Sequence, residues 1–161
     1  MKKGAMLAVF LAAFGAASAS AQDRKGDFFD LVMAGTPQEI QAAIDRGADV
    51  NEALPMDDSQ GSGKTPLMCA AKFNANPEAI AVLLKAGADI EAQNYHGWTA
   101  LVYAAKNNRN PEVVMTLLSA GADAKVTDDY GQTVLDYARS NFSLRGTDAL
   151  RRLEAAAARR R

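Results

Sequence analysis

Downstream of residue 27, apolar positions recur at helical spacing in short blocks, and polar turn formers separate the blocks. The spacing Leu-x-x-Ala-Ala occurs at Leu67, Ala70 and Ala71 and again at Leu101, Ala104 and Ala105, which places one apolar stripe on each of two short helices. Thr65, Thr99 and Thr133 stand where an N-cap belongs, and Pro66 suits the first helical turn. A second helix follows each polar loop. Pro77-Glu78 and Pro111-Glu112 open it, and Ile80, Leu83 and Leu84, or Val113, Val114, Leu117 and Leu118, give it a wider apolar face. Gly87 and Gly121 are the expected left-handed ends of these helices. The roughly ten residues beyond each glycine hold turn formers without helical period, so they are expected to fold back as a hairpin-like finger.

The blocks repeat at a fixed interval. Gly63-Lys64-Thr65-Pro66-Leu67, Gly97-Trp98-Thr99-Ala100-Leu101 and Gly131-Gln132-Thr133-Val134-Leu135 are each 34 residues apart, as are Gly87-Ala88-Asp89 and Gly121-Ala122-Asp123. Gly47-Ala48-Asp49-Val50-Asn51 is the same unit 40 residues before Gly87, so six extra residues have entered a long loop at 52–62. Upstream of it, Asp27 to Met33 reads as a first helix, and Thr36-Pro37-Gln38-Glu39 as a capping box opening a second.

One such helix pair cannot bury both of its apolar faces, so the units must stack, and a 33 to 34 residue period implies an all-α solenoid. Thr65-Pro66-Leu67, Ala86-Gly87-Ala88-Asp89 and Ala120-Gly121-Ala122-Asp123 resemble the ankyrin repeat, which opens Gly-x-Thr-Pro-Leu-His-x-Ala-Ala and closes Ala-Gly-Ala-Asp-Val-Asn. The resemblance implies about four repeats, near 25–51, 63–91, 97–125 and 131–154, the outer two acting as caps within a domain spanning 22–154. The chain departs from the family in two respects. Met68, Val102 and Asp136 replace the usual His, and the loops 73–77 and 107–111 carry one residue more than is customary. These departures change local hydrogen bonding and leave the architecture intact.

Residues 1–21 are read apart from this domain. Lys2 and Lys3 precede an apolar run at 5–17, and Ala19-Ser20-Ala21 forms a small-x-small cleavage site, the three-part pattern of a secretory signal peptide cut between Ala21 and Gln22. The run is too short for a membrane anchor. The expected mature protein is periplasmic or secreted, without membrane insertion after cleavage. It keeps 16 basic and 19 acidic side chains, a net of −3.

Composition narrows the chemistry. At 48% apolar and 23% charged the 161-residue chain is globular, and its pI near 5.8 lacks the basic excess of a nucleic-acid binder. With one His96 and one Cys69, His-rich metal sites, Cys-based zinc clusters and intramolecular disulfides are excluded by counting. Cys69 lies among Leu67, Met68, Ala70 and Ala71 and reads as a core thiol. Gly61-Ser62-Gly63-Lys64-Thr65 ends like a P-loop, but Asp58 stands where that motif needs glycine, and Asp57 and Asp58 lack the register of an EF-hand. His96 has no nucleophile elbow to serve. Neither catalysis nor a cofactor or metal is therefore expected. The residues 155–161 form an Arg-rich tail, and 149–161 carry a local charge of +4 that reads as the frayed end of a capping helix.

What remains is binding of another protein by a monomer. The resemblance implies a concave surface made of the fingers and the exposed side of the first helices. Its variable positions map onto Tyr95, His96 and Trp98 on the middle finger, Tyr130 and Gln132 on the last, and Lys64 on the first, with Lys72, Phe73, Lys106 and Asn107 at helix ends. Tyr95→Ala and Trp98→Ala are expected to weaken partner binding with the fold nearly intact. Packing of Trp98 and Phe73 against neighbouring repeats is the competing reading. Two roles stay open: a scaffold or protector of a partner protein, and an immunity or inhibitor protein that inserts its first loop, with Leu54-Pro55-Met56-Asp57-Asp58, into a toxin or enzyme.

Overall fold

The computed structural model describes residues 21–54 and 63–158, with side chains from Asp27 onward. Residues 1–20 of the expected signal peptide, the interior of the long loop and the last three arginines lie outside the described residues. Among the described residues eight α-helices follow in order: α1 (Ala21–Ala34), α2 (Pro37–Asp45), α3 (Pro66–Phe73), α4 (Pro77–Lys85), α5 (Ala100–Asn107), α6 (Pro111–Ser119), α7 (Val134–Ser140) and α8 (Asp148–Ala158), with a short 3-10 turn at Phe142–Leu144. The first helices α1, α3, α5 and α7 pack side by side as one layer, and α2, α4, α6 and α8 form the second. Val32, Leu67, Leu101 and Val134 from the first layer meet Ile40, Ile80, Leu83, Val113, Leu117 and Leu153 from the second, all with no measurable exposure or nearly none. The result is an all-helical solenoid. Two boundaries differ from the sequence reading. The first helix starts before Asp27, because the preceding turn holds the helix formers Gln22, Arg24 and Lys25. The last runs past 154, because four alanines prolong it to Ala158.

Local chemistry accounts for the helix ends. Thr36 accepts from the Glu39 N–H while Glu39 reaches back to the Thr36 N–H at 2.8 Å, and Thr133 and Asp136 repeat this reciprocal box. Thr65 accepts from Met68 N–H at 3.4 Å. Thr99 departs from the expected cap. It holds the N-cap position by its backbone, but ψ opens to 173° and the hydroxyl makes no capping bond. Its Oγ1 is the one buried side-chain polar atom without a partner among the described residues. The second-layer helices α4 and α6 are capped by residues that sequence reading passed over, with Asn76 Oδ1 accepting from Glu78 N–H and Asn110 Oδ1 from Glu112 N–H. At the other end Gly87 and Gly121, at φ +91° and +98°, close α4 and α6. There Gly87 N–H donates to Leu84 C=O and Ala88 N–H to Leu83 C=O, the paired bonds of a Schellman end.

The lengthened loops between helices also have a structural use. Asn74 donates its side-chain amide to Val32 C=O and Gly35 C=O, Asn108 to Ala71 C=O and Asn74 C=O, and Asn141 to Ala105 C=O and Asn108 C=O. Each asparagine thereby satisfies two carbonyls left over at the C-terminal end of the preceding first-layer helix. Asn74 and Asn108 are buried, and the row of bonds stitches successive repeats together at one end of the stack.

Candidate functional site

The fingers before α5 and α7 fold back over the first layer by the same device. Asn94 N–H donates to Trp98 C=O, and Asn94 Oδ1 accepts from the His96 and Trp98 N–H groups. Asp128 N–H donates to Gln132 C=O, and Asp128 Oδ1 accepts from the Tyr130 and Gln132 N–H groups. Side-chain capture of one's own turn is typical of Asn and Asp. The two fingers touch, since Asp129 N–H donates to His96 C=O at 3.2 Å. A side chain on Gly97, which sits at φ +73°, would meet Asp128 Cα at 3.2 Å, so glycine suits both the turn and the close approach.

The other face of each asparagine or aspartate reaches a tyrosine nine residues later. Asn94 Nδ2 donates to Tyr103 Oη at 2.9 Å, whereas Tyr137 Oη donates to Asp128 Oδ2 at 2.5 Å. The reversal of donor and acceptor follows from Trp98. Its indole N–H also donates to Asp128 Oδ2, at 2.8 Å, and only a carboxylate can accept from both donors there. Trp98 stands edge-on between Tyr103 and Tyr137, each 5.3 Å between ring centroids. Lys106 Nζ lies 4.1 Å from the Trp98 ring centroid and 4.8 Å from that of Tyr137. Lys64 Nζ lies 5.9 Å from Tyr103, and Lys72 Nζ 4.6 Å from Phe73.

The expected site residues therefore separate into groups. Lys64, Lys106 and Trp98 converge on the rings of Tyr103 and Tyr137, two residues that sequence reasoning missed, whereas Lys72 rests on Phe73. The repeated nine-residue spacing of Asn94 to Tyr103 and Asp128 to Tyr137 is the sequence signal that could have found them. Tyr95 and Tyr130 stand out at the finger tips, 61% and 72% exposed, with the exposed His96 6.3 Å from the Tyr130 ring. Gln132 is exposed, and its backbone serves the last finger. Phe73 and Asn107 are exposed at the ends of α3 and α5. Trp98 is half-buried and bridges repeats, which favours the packing alternative for it.

Electrostatics follow the same geometry. Burial pulls the Asp128 carboxyl upward, but hydrogen bonds from Tyr137, the Gln132 N–H, Trp98 and the Tyr130 N–H outweigh it and hold the group below its ordinary value. Burial, with the bond to Asp128 and its charge, pushes Tyr137 up to about 12. Burial likewise raises Tyr103 to about 12 and Cys69 to about 11, so both are neutral at physiological pH. Because Asp128 is depressed in the folded state, its stabilisation is complete above the ordinary carboxylate value near 3.8 and is lost as pH falls below it. Asp128→Asn would place a second donor against the Trp98 N–H. We expect it to destabilise the fold by about 1.5 to 3 kcal/mol at pH 7, the range for a hydrogen bond to a charged group. The gap from the parent should narrow in thermal melts at pH 3. An equal gap at both pH values would refute the charge-based account.

Among the described residues no group of three His, Cys, Asp or Glu is placed to hold a metal ion, and no helix is long and apolar enough to cross a membrane. The family model for ankyrin repeats (3 copies) matches residues 28–128 and, in an overlapping second match, 93–153. Comparison with curated proteins found no match.

Proposed function

Because the chain belongs to the ankyrin-repeat family, whose repeats generally mediate protein–protein interaction, we propose that it is an exported, non-enzymatic module that binds a partner protein through its fingers and first-layer helices. In this reading it acts as a scaffold or protector in the periplasm or outside the cell. The observation that carries the reading is exposure. Of the four large apolar side chains mostly exposed among the described residues, Phe73, Tyr95 and Tyr130 belong to the set expected at this face, and only Phe142 does not. Tyrosine at such positions offers large contact area at small entropic cost, and interfaces concentrate their binding energy in such rings.

Affinity capture from periplasmic extract, comparing the parent with a Tyr95→Ala, Tyr130→Ala variant, tests this. The expected result is a polypeptide retained by the parent and lost by the variant, each truncation costing about 2 kcal/mol at a hot spot, while both melt at the same temperature. Equal retention would move the interface away from the finger tips. Export is tested separately by the mass of the protein recovered outside the cytoplasm, which should begin at Gln22. A protein that keeps Lys2 and Lys3 in the membrane fraction would overturn it.

A further inference from the structure

Three lysines gather on the face formed by α3, α5 and the fingers. Lys64, Lys72 and Lys106 are each half-buried, whereas Lys85 and Lys125 elsewhere on the surface are exposed. Their ammonium groups rest on aromatic rings: Lys64 on Tyr103, Lys72 on Phe73, and Lys106 on Trp98 and Tyr137. None of the three has an ion-pair partner among the described residues. Asp128, the carboxylate beneath Trp98, is already occupied by four hydrogen-bond donors. The buried Cys69 thiol beside Lys64 and Lys72 is neutral and supplies no counter-charge. Burial, and then the positive charges of Lys64 and Lys106, press the Lys72 ammonium below its ordinary value.

Such a cluster sits on a chain whose formal charge is −1, so it is a local reversal of the surrounding field. Its cations are desolvated in part, held over aromatic rings and without an ion pair among the described residues, and an incoming carboxylate would supply the missing counter-charge. Lys72 and Lys106 are 34 residues apart and hold the same register on the stacked helices α3 and α5. Stacked helices lie roughly 8 to 10 Å apart. An extended chain in polyproline conformation brings every third side chain back to one face at about 9 Å. We propose that this lysine-aromatic face receives an extended acidic segment of the partner polypeptide, with its Asp or Glu side chains on Lys64, Lys72 and Lys106 and its backbone passing over the half-buried Trp98 ring. The proposal rests on the reading of this face as the partner-binding surface.

The test is fluorescence anisotropy of a labelled octaglutamate peptide with the purified protein, set beside octaglutamine and a single-stranded oligonucleotide of equal length. Octaglutamate should bind, octaglutamine should not, and Lys72→Glu with Lys106→Glu should weaken binding at least tenfold. Lys85→Glu, on the second layer, should leave it unchanged. Because Lys106 packs on Trp98, Lys72→Gln with Lys106→Gln is run in parallel, and only variants with parental circular dichroism and melting temperature are scored. An oligonucleotide that binds as tightly as the peptide would replace carboxylate recognition with general polyanion binding and overturn the proposal. So would octaglutamate binding that ignores both lysine pairs. If a polypeptide captured by the parent is lost with Tyr95→Ala but not with the lysine variants, the acidic segment is refuted and the interface reading stands. If neither change affects capture, both fail.

Discussion

Leu83→Ala should lower the stability of the fold by about 2 to 5 kcal/mol, the span measured for truncation of fully buried leucines. Leu83 has no exposed surface and lies in α4, which packs against α2 and α6 in its own layer and against α3 in the other. The surrounding side chains belong to three further helices, so collapse into the vacated space would require repeats to shift against each other, and a cavity should persist. In a solenoid each repeat contacts only its neighbours, and a weakened central repeat uncouples the two halves. Leu84→Ala is the control. That side chain is half-buried one position further along the same helix, and its removal should cost distinctly less. Chemical denaturation of both variants measures the difference. A parental midpoint for Leu83→Ala would mean that the layers are packed otherwise than described.

Trp98→Ala should destabilise by about 3 kcal/mol, the low end for an aromatic truncated in a core, because the ring is only half-buried. The substitution removes the indole N–H bond to Asp128, the edge-on contacts with Tyr103 and Tyr137, and the surface on which Lys106 rests. It removes the side-chain link between the finger before α5 and that before α7, leaving the Asp129 N–H to His96 C=O bond. The expectation that this variant would leave the fold nearly intact is therefore revised: stability and partner binding should fall together. Tyr95→Ala should affect binding alone, since Tyr95 is 61% exposed. Melting curves and binding isotherms on both variants separate the cases. A Trp98→Ala protein with the parental melting temperature would show that the bridge contributes nothing to the stack.

Much of this architecture is visible in one dimension. A period of 34 with Gly at fixed phase determines helix pairs and their stacking, because short amphipathic helices with matching faces have no other way to bury them. The capping box at Thr36 is equally legible, since its residues are contiguous and its bonds local. Thr99 shows the limit of that reasoning. The same residue in the same phase as Thr65 and Thr133 makes no capping bond, because the outcome depends on a few degrees of backbone that the surrounding packing sets.

The candidate site was legible only in part, for a related reason. Its finger residues could be counted off from the repeat, and Tyr95, His96, Tyr130 and Gln132 do stand exposed. Which of the neighbouring side chains became structural was decided by contacts across repeats. Trp98 meets an aspartate 30 residues away, and Asn108 meets carbonyls 34 and 37 residues away. Sequence by itself determined the helices, their order and the face they leave open, since these follow from local propensity and from an apolar pattern repeated at one period. Only the tertiary structure decided that the Trp98 indole meets Asp128 of the next finger, and that Lys64 and Lys106 rest on one group of rings with Lys72 on Phe73. Donor direction and charge proximity arise between stacked repeats, where no local pattern records them.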